Sequence, residues 1–307
     1  MAGTPTDDLA RDGFAVVAGA VDPALCARAR TEVAAFRDAN RARVADNLDD
    51  HDRLFRVVNL PAVLGTLADV FGTNRALAVC DEFFADEAVC YTSLFFGRGS
   101  QQDLHRDSPL FATRPAGRYL GVWVALEDTD ADNGPLVAVP GSHALAPIDV
   151  GAIASALYGD PTRAPAADPA GWDTYQRAVQ EQAAAAGLTA RELHLRAGDV
   201  VVWHPELLHG GAVQRDPART RDSIVFHVTP PNTPVSGQDV FYDPTGAAPE
   251  RPVGSLVVRR GRRFVARAEV DFAHEFTRRV DELRVPGERA ADRLRRGARA
   301  ARRRLRS

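Results

Sequence analysis

Short apolar segments separated by turn residues place the strongest constraint on how this chain folds. From about residue 78 to residue 145 the runs ALAVC, AVCYTSLFF, YLGVWVAL and GPLVAVPGSH follow one another closely, and strand-like runs return in DVVVWH (199–204) and DSIVFHV (222–228). Many short strands at regular spacing are typical of antiparallel barrels and sandwiches. The pattern therefore predicts a mainly β fold built around one antiparallel core.

Helical segments are expected to flank this core. Asp22 and Pro23 have the residue types of an N-cap and a first helical position, and they begin a helix predicted over about 23–45. Residues 146–196 interrupt the strand pattern with loops rich in Ala, Pro and Asp and with one helical stretch. Their apolar content is too small for a separate core. We interpret them as an insertion over the barrel mouth, within a single domain of residues 1–285.

The composition is that of an ordinary globular enzyme and excludes several classes of function. Of the 307 residues, 45% are hydrophobic and 26% are charged, and the net charge of −3 gives no reason to expect nucleic acid as a partner. The sequence contains no Lys, so Schiff-base chemistry on lysine is excluded. The three cysteines fit no metal-binding spacing and are expected to be buried in a reducing compartment.

The two ends of the chain bear on its location. The polar, acidic start MAGTPTDDLARDG does not have the character of a signal peptide, and the chain is expected to be cytoplasmic. The last segment, 286–307, has nine arginines and two acidic residues. We expect a solvated tail there, and a weak contact with an anionic surface is the alternative.

A possible metal site begins in the segment LHRD, where one residue separates His105 from Asp107. On a strand, side chains at positions i and i+2 point to the same face, so this pair offers an imidazole nitrogen and a carboxylate oxygen to one point. Such a spacing arises by chance in many proteins. A third ligand is therefore required, and it should come from another strand end facing the same cavity.

His209 is the preferred third ligand among the eight histidines of the chain. Gly210 and Gly211 follow it, which allows a tight backbone turn and leaves room for a metal ion. His204, which ends the preceding strand, is the alternative. Two imidazoles and one carboxylate on one face of an octahedron are typical of non-haem iron(II) oxygenases. A zinc hydrolase is the competing interpretation, although the chain lacks an HExxH motif.

Four motifs surround these residues in a fixed order: HRDSPLF, VWVALEDTDADNGPLVAVPGSH, GDVVVWHPELLHGG and RTRDSIVFHV. Together they resemble the phytanoyl-CoA dioxygenase family of Fe(II)- and 2-oxoglutarate-dependent oxygenases, from RDGFAVVAGAVDPAL to about residue 230. The resemblance is weakest in 146–196 and does not extend to the basic tail. It implies a double-stranded β-helix, which is a cupin-like jelly-roll barrel with helices packed on one side.

The resemblance also implies a set of ligands. Fe(II) would be bound by three side chains, those of His105, Asp107 and His209, and 2-oxoglutarate and O2 would be the co-substrates. An arginine about ten residues beyond the second histidine would bind the far carboxylate of 2-oxoglutarate. Arg221 is preferred because Ser223 lies at i+2 on the same strand face, and Arg219 in the preceding turn is the alternative.

Two further residues are candidates for the same pocket. Trp123 matches a family position that lines the 2-oxoglutarate pocket, and a plain core aromatic is the alternative interpretation. Gln102 precedes His105 by three residues and is expected to reach into the site.

The implied activity is hydroxylation of a C–H bond in a small organic substrate, such as a specialised metabolite, an acyl derivative or a sugar derivative, with release of succinate and CO2. Related halogenases lack the carboxylate ligand, so Asp107 favours hydroxylation, desaturation or cyclisation over halogenation. Two rival functions remain, a non-catalytic metal-binding module of the same fold and a zinc-type hydrolase or isomerase. Near the site, Arg106, Arg114 and Arg118 are either surface arginines, which the composition favours, or cations for an anionic substrate.

Overall fold

The computed structural model describes residues 3–160, 163–165, 168–237, 241–242, 255–288 and 292. In this part of the chain the α-helices are Pro5–Asp12 (α1), Pro23–Val44 (α2), Gly65–Gly72 (α3), Leu77–Phe84 (α4), Val150–Tyr158 (α5) and Pro169–Ala185 (α6), and short 3-10 turns cover Ala45–Asn47, Leu60–Ala62 and Ser142–Ala144. The strands are Phe14–Val17 (β1), Val57–Val58 (β2), Val89–Phe96 (β3), Leu120–Ala125 (β4), Leu136–Ala138 (β5), Arg191–Leu193 (β6), Val200–Trp203 (β7), His209–Gly211 (β8), Ser223–Thr229 (β9), Leu256–Arg259 (β10), Arg262–Val265 (β11), Glu269–Phe272 (β12) and Phe276–Arg279 (β13).

Two sheets form the core. The large sheet has the order β1-β7-β4-β9-β3-β2-β12-β13, and β11, itself paired with β10, joins it along β3. The small sheet has the order β6-β5-β8. Apart from the β11–β3 pair, the described strand pairs are antiparallel. This mainly β architecture with flanking helices is the predicted fold class.

Side-chain alternation along the large sheet separates a helix-facing layer from an inner layer. On β4, Val122 and Val124 pack into the cluster that contains α2, α3 and α4, whereas Trp123 packs with Leu136 of the small sheet. Because neighbouring strand residues point to opposite faces, one sheet thus supports both layers. The inner layer, enclosed between the two sheets, is where the site lies.

Helix starts follow the capping signals in the sequence. Asp22 accepts a hydrogen bond from the backbone N–H of Ala24 at the start of α2, with Pro23 in the first turn. Thr4 caps α1, which ends at Gly13 with a left-handed φ of 81°. β1 then begins directly at Phe14, so a capped helix, a left-handed glycine and a strand follow one another along the chain.

Two local predictions are wrong. The run ALAVC forms the first part of helix α4, not a strand, and its buried residues include Leu77 and Cys80. A short apolar run with no polar alternation does not distinguish a buried helix from a buried strand. His105 does not lie in a strand either, because it forms one isolated bridge with His209. The chain then turns at Asp107, whose carbonyl oxygen accepts from the N–H groups of Leu110 and Phe111.

The segment 146–196 contains α5 and α6, which pack together in a separate apolar cluster with Val139 and Leu208. Its last part differs from the interpretation as an insertion, because Arg191–Leu193 pairs with Leu136–Ala138 as an edge strand of the small sheet. The stretch outside the barrel therefore ends before residue 191. Most of the predicted basic tail, residues 289–291 and 293–307, lies outside the described residues.

Candidate metal centre and its cavity

His105, Asp107 and His209 meet at one buried point between the two sheets. One ligand-type atom from each lies within 4.8 Å of the others, and all three residues are buried. The backbones of His105 and His209 are paired by reciprocal hydrogen bonds of 2.8 and 3.0 Å, which places their rings 4.5 Å apart. A Cβ on Gly210 would lie 2.6 Å from the carbonyl oxygen of Gln102, so the glycine allows this close backbone approach.

Both histidine rings are oriented by a hydrogen bond to the backbone carbonyl of the residue two positions earlier. Nδ1 of His105 lies 2.7 Å from the carbonyl oxygen of Asp103, and Nδ1 of His209 lies 3.0 Å from that of Leu207. A carbonyl oxygen only accepts, so each Nδ1 must donate, and each Nε2 keeps its lone pair. The two Nε2 atoms lie 3.7 Å from the carboxylate oxygens of Asp107. Backbone carbonyls thus fix ring tautomers that suit a metal ion.

The Asp107 carboxylate is anchored through one of its oxygens. Oδ2 accepts from the indole Nε1–H of Trp203 at 3.1 Å and from Nε2–H of His227 at 3.2 Å. Among the described residues no hydrogen bond is made to Oδ1, which is therefore the free ligand atom. A Cβ on Gly121 would lie 2.2 Å from the Trp203 ring, so this glycine makes room for the indole.

The protonation states also suit cation binding. Burial, followed by the nearby His209, lowers the pKa of His105 to about 4, so its imidazole is neutral at neutral pH. Burial by itself would raise the pKa of Asp107, but the imidazoles of His209, His227 and His105 outweigh it and hold the pKa of that carboxyl well below its usual range. The group therefore offers the neutral imidazole of His105 and the anionic carboxylate of Asp107 beside the imidazole of His209.

A cavity of about 110 Å³ opens beside this group. Its apolar wall comes mainly from the inner faces of β3, β4, β7 and β9 and from the turn after Asp107. The polar residues on the wall, apart from the three candidate ligands, are Arg56, Ser100, Gln102, Trp123, Trp203, Arg221, His227 and His274. The structure thus brings three of the four predicted pocket residues, Gln102, Trp123 and Arg221, into the lining.

Arg221 is a buried cation in this wall. It is 2% exposed, donates Nε–H to the carbonyl oxygen of Gly134 at 3.0 Å and donates Nη1–H to Oγ of Ser223 at 2.8 Å. Its guanidinium carbon lies 5.4 Å from the centre of the Trp123 ring. Among the described residues no carboxylate lies within ion-pair distance of Arg221, and burial lowers its pKa to about 10. The charge is therefore held in place without an acidic partner from the described chain.

The competing arginine occupies a different environment. Arg219 lies at the surface, where its two terminal nitrogens bond to both carboxylate oxygens of Asp130 at 2.9 and 3.0 Å. It is not part of the cavity wall. His204, the competing histidine, packs near Phe83 and His143 and also does not line the cavity.

Arg106 is neither a surface residue nor a free cation for a substrate, which corrects both alternatives stated for it. Its side chain is 1% exposed, donates to the carbonyl oxygen of Ser142 at 2.9 Å and forms an ion pair of 3.2 Å with Glu206. Ser142 in turn accepts the N–H of Leu208 through its hydroxyl oxygen. The PGSH motif thus ties the turn carrying Asp107 to the strand carrying His209.

Helix α6 holds the same turn from the other side. The side-chain amide of Gln176 accepts from the N–H of Arg106 at 2.9 Å and donates to its carbonyl oxygen at 3.2 Å. Gln180 donates to the carbonyl oxygen of Leu104 at 2.6 Å. Backbone groups on both sides of His105 are therefore satisfied by side chains of the 146–196 segment.

Sequence reasoning missed five polar residues of the cavity wall, namely Arg56, Ser100, Trp203, His227 and His274. His227 was detectable, because it lies at an even spacing from Arg221 and Val225 along the predicted strand RDSIVFHV, where alternate residues share one face. Trp203 lies on a predicted strand on which no second cavity residue marks the inner face. His274 lies in the β12–β13 turn at the cavity, far along the chain from the four motifs. Arg56 precedes the two-residue strand β2 and had no sequence signal.

The fold and the site together define a jelly-roll protein with a buried His-Asp-His group. The family model for phytanoyl-CoA dioxygenase matches residues 9–220. The chain therefore belongs to the phytanoyl-CoA dioxygenase family.

Curated relatives match this chain either at low identity over most of its length or at higher identity over a short segment. Phytanoyl-CoA dioxygenase domain-containing protein 1 of Mus musculus is 25% identical over 221 residues, which cover 69% of this chain and 65% of the mouse protein. The protein of the same name in Danio rerio is 49% identical over 47 residues, or 15% of this chain and 16% of that protein. The chain thus aligns with less than two thirds of the length of these relatives.

Solved structures share the fold. The epimerase SnoN from nogalamycin biosynthesis, in complex with Fe3+, alpha ketoglutarate and nogalamycin RO, has a TM-score of 0.55 at 20% identity, covering 86% of this chain and 97% of SnoN. EctD from S. alaskensis, with 2-oxoglutarate and 5-hydroxyectoine, has a TM-score of 0.52 at 17% identity, covering 75% and 76% of the two chains. At these identities the likeness establishes the jelly-roll fold. None of the described helices has the length and hydropathy that a membrane span requires.

Proposed function

We propose that this protein is an Fe(II)- and 2-oxoglutarate-dependent dioxygenase that hydroxylates a C–H bond of a small organic substrate. The observation that carries the proposal is the placement of two kinds of group in one cavity. A buried set of two imidazoles and one carboxylate lines the same cavity as Arg221, a buried guanidinium with no carboxylate within ion-pair distance among the described residues. Membership of the phytanoyl-CoA dioxygenase family supports the same activity.

The three ligand residues suit Fe(II). Imidazole nitrogen and carboxylate oxygen in a two-to-one ratio are the donors of non-haem iron oxygenases, and three protein ligands leave positions for co-substrates. The free Oδ1 of Asp107 and the two Nε2 atoms would bind the ion. When bound, the iron supplies the activation of O2 that lets a C–H bond be oxidised.

Arg221 and Ser223 would bind the far carboxylate of 2-oxoglutarate. A guanidinium stays charged when buried and matches a carboxylate with two parallel donors. The Ser223 oxygen already accepts from Arg221, so its own hydroxyl hydrogen is available to the same carboxylate. Trp123 lies beside the guanidinium, and Gln102 lines the same cavity.

Retention of Asp107 favours hydroxylation over halogenation, because its carboxylate occupies a metal position that a halide would need. Desaturation or cyclisation of the substrate is the alternative outcome. The carboxylate is anchored by Trp203 and His227, which keep the oxygen that faces the metal site in one orientation.

The direct test measures metal content and 2-oxoglutarate turnover of the purified protein. After anaerobic loading with Fe(II), we expect about one iron per chain and slow succinate formation that requires Fe(II), 2-oxoglutarate and O2. Asp107→Ala should lose both the iron and the turnover. Asp103→Ala is the matched control, because that exposed acid lies four residues away and only its backbone carbonyl contacts the site.

The rival functions give different results in the same assay. A protein that retains no iron and forms no succinate with any substrate would be a non-catalytic module. A protein that acts with zinc and without O2 would be a hydrolase or isomerase. Product analysis by mass spectrometry, with incorporation of one atom from O2, separates hydroxylation from desaturation and cyclisation.

A further inference from the structure

A second arginine lines the same cavity and has no role in the function proposed above. Arg56 lies next to Gln102, to whose Oε1 atom it donates from Nη2 at 3.2 Å. Among the described residues no carboxylate lies within ion-pair distance of Arg56, and Asp107 attracts it only from farther away. Arg56 and Arg221 are thus two cavity-lining arginines without an ion-pair partner in the described part of the chain.

The backbone at Arg56 is held in an unusual conformation. Its φ is 49°, in the left-handed region that non-glycine residues rarely adopt, and its carbonyl oxygen accepts from the N–H of Ala273 at 3.1 Å. Strained backbone positions of this kind persist where the surroundings hold them and are common at ligand-binding sites. The half-buried side chain lines the cavity beside the metal group.

The charges in the cavity do not balance without a further anion. A divalent metal ion and the Asp107 carboxylate leave one positive charge, and Arg221 adds a second. The two carboxylates of 2-oxoglutarate neutralise both, which leaves the Arg56 guanidinium uncompensated. An unpaired cation in a largely enclosed site is costly, and an anionic ligand group relieves that cost.

We infer that Arg56 binds a negatively charged group of the substrate, so that the protein acts on an organic acid with an apolar body. This inference rests on the proposed function, because it assigns 2-oxoglutarate to Arg221. The apolar part of the wall, which includes Leu94, Phe96 and Leu110, suits the remainder of such a molecule. The single guanidinium matches one carboxylate or one phosphate-type oxyanion, and the wall around it provides few other charged groups.

The test compares binding of matched acids and amides. The protein is loaded with Mn(II), which does not activate O2, and with 2-oxoglutarate, and it is titrated with pairs such as hexanoate and hexanamide or 3-phenylpropionate and 3-phenylpropionamide. Ligand-detected NMR gives the dissociation constants. We expect the acid of a pair to bind roughly 10-fold more tightly than its amide, since one charge-assisted contact is at stake.

Two variants assign the preference to its residue. Arg56→Gln should reduce the acid-to-amide ratio to about 1 and change the dissociation constant of 2-oxoglutarate less than about 2-fold. Arg98→Gln is the matched control, because Arg98 packs on the same Phe55 ring but does not line the cavity, and it should keep the wild-type ratio.

The outcomes separate this inference from the proposed function. Equal binding of acids and amides by the wild type, or an unchanged ratio in Arg56→Gln, overturns the inference while 2-oxoglutarate binding stands. If Arg56→Gln weakens 2-oxoglutarate as strongly as Arg221→Gln does, Arg56 belongs to the co-substrate and the inference is also overturned. Failure of the wild type to bind Mn(II) and 2-oxoglutarate overturns the proposed function itself.

Discussion

The two faces of the seven-residue strand β9 differ in role, because one packs in the apolar core and the other faces the candidate site. Ile224, Phe226 and Val228 point to the helices and are fully buried in the main apolar cluster. The opposite face carries Ser223, whose hydroxyl oxygen accepts from the cavity residue Arg221, and His227, which lines the cavity and donates to Asp107. Because the strand alternates strictly, substitutions one residue apart should affect different properties, namely stability on one face and ligand binding on the other.

The largest effect is expected on the helix-facing side. Phe226 is fully buried and its ring lies 5.0 Å from that of Phe71 on α3. Phe226→Ala should lower the free energy of unfolding by about 3–5 kcal/mol, because a large core side chain is lost and a cavity remains. Urea unfolding measures the change. The comparison fails if metal affinity of the folded variant changes as well.

On the cavity side, Arg221→Gln should leave stability nearly unchanged and raise the dissociation constant of 2-oxoglutarate by about 100-fold, because a buried charge-assisted contact is removed. Calorimetry on the Mn(II)-loaded protein gives this value. Arg219→Gln serves as the control, since that arginine bonds to Asp130 at the surface. Equal weakening by both variants would show that the effect is one of general charge.

A buried imidazole outside the cavity predicts a dependence of stability on pH. Burial, then His143 and Arg106, lowers the pKa of His204 to about 4, below its ordinary value of 6.5. Between about pH 4 and pH 6.5, the His204 imidazole is therefore protonated in the unfolded chain and neutral in the folded chain. This contribution to stability is fully present above pH 6.5 and is lost as the pH falls toward 4.

The loss should amount to about 2 kcal/mol between those pH values. His204→Gln should reduce the slope of unfolding free energy against pH in that interval, as measured by urea titrations of the metal-free protein. His51→Gln, which removes an exposed imidazole, should retain the wild-type slope. Identical slopes for all three proteins would contradict the assignment to His204.

The smallest effect concerns the anchor of the metal-binding carboxylate. Trp203→Phe keeps an aromatic ring but removes the N–H that bonds to Asp107. Metal affinity should fall by roughly 10-fold, the usual cost of losing a hydrogen bond that orients a ligand. Competition with a chelator measures it. Trp172→Phe, on helix α6, is the control, because the Trp172 ring lies 6.1 Å from that of His105 but makes no hydrogen bond to Asp107. An equal loss there would indicate a general effect of replacing an indole near the metal group.

Local sequence patterns predict some parts of the fold and the candidate site but not others. The alternation in RDSIVFHV and the glycines after His209 are local signals, because a strand or a tight turn imposes them on neighbouring residues. Arg56 and the clamp by Gln176 depend on contacts between residues far apart in the chain, which no local pattern encodes. The run ALAVC was ambiguous for a physical reason, since five successive apolar residues carry no polar periodicity that separates helix from strand.

The hydrogen bonds from α6 to the backbone around His105 have a consequence for protein engineering. Helices α5 and α6 pack in a cluster of their own, which makes their segment a convenient unit to exchange between relatives. Here that segment also holds the backbone around His105 through Gln176 and Gln180. A graft of this segment must therefore bring its matching 104–107 turn, or the candidate metal ligands of the recipient lose their support.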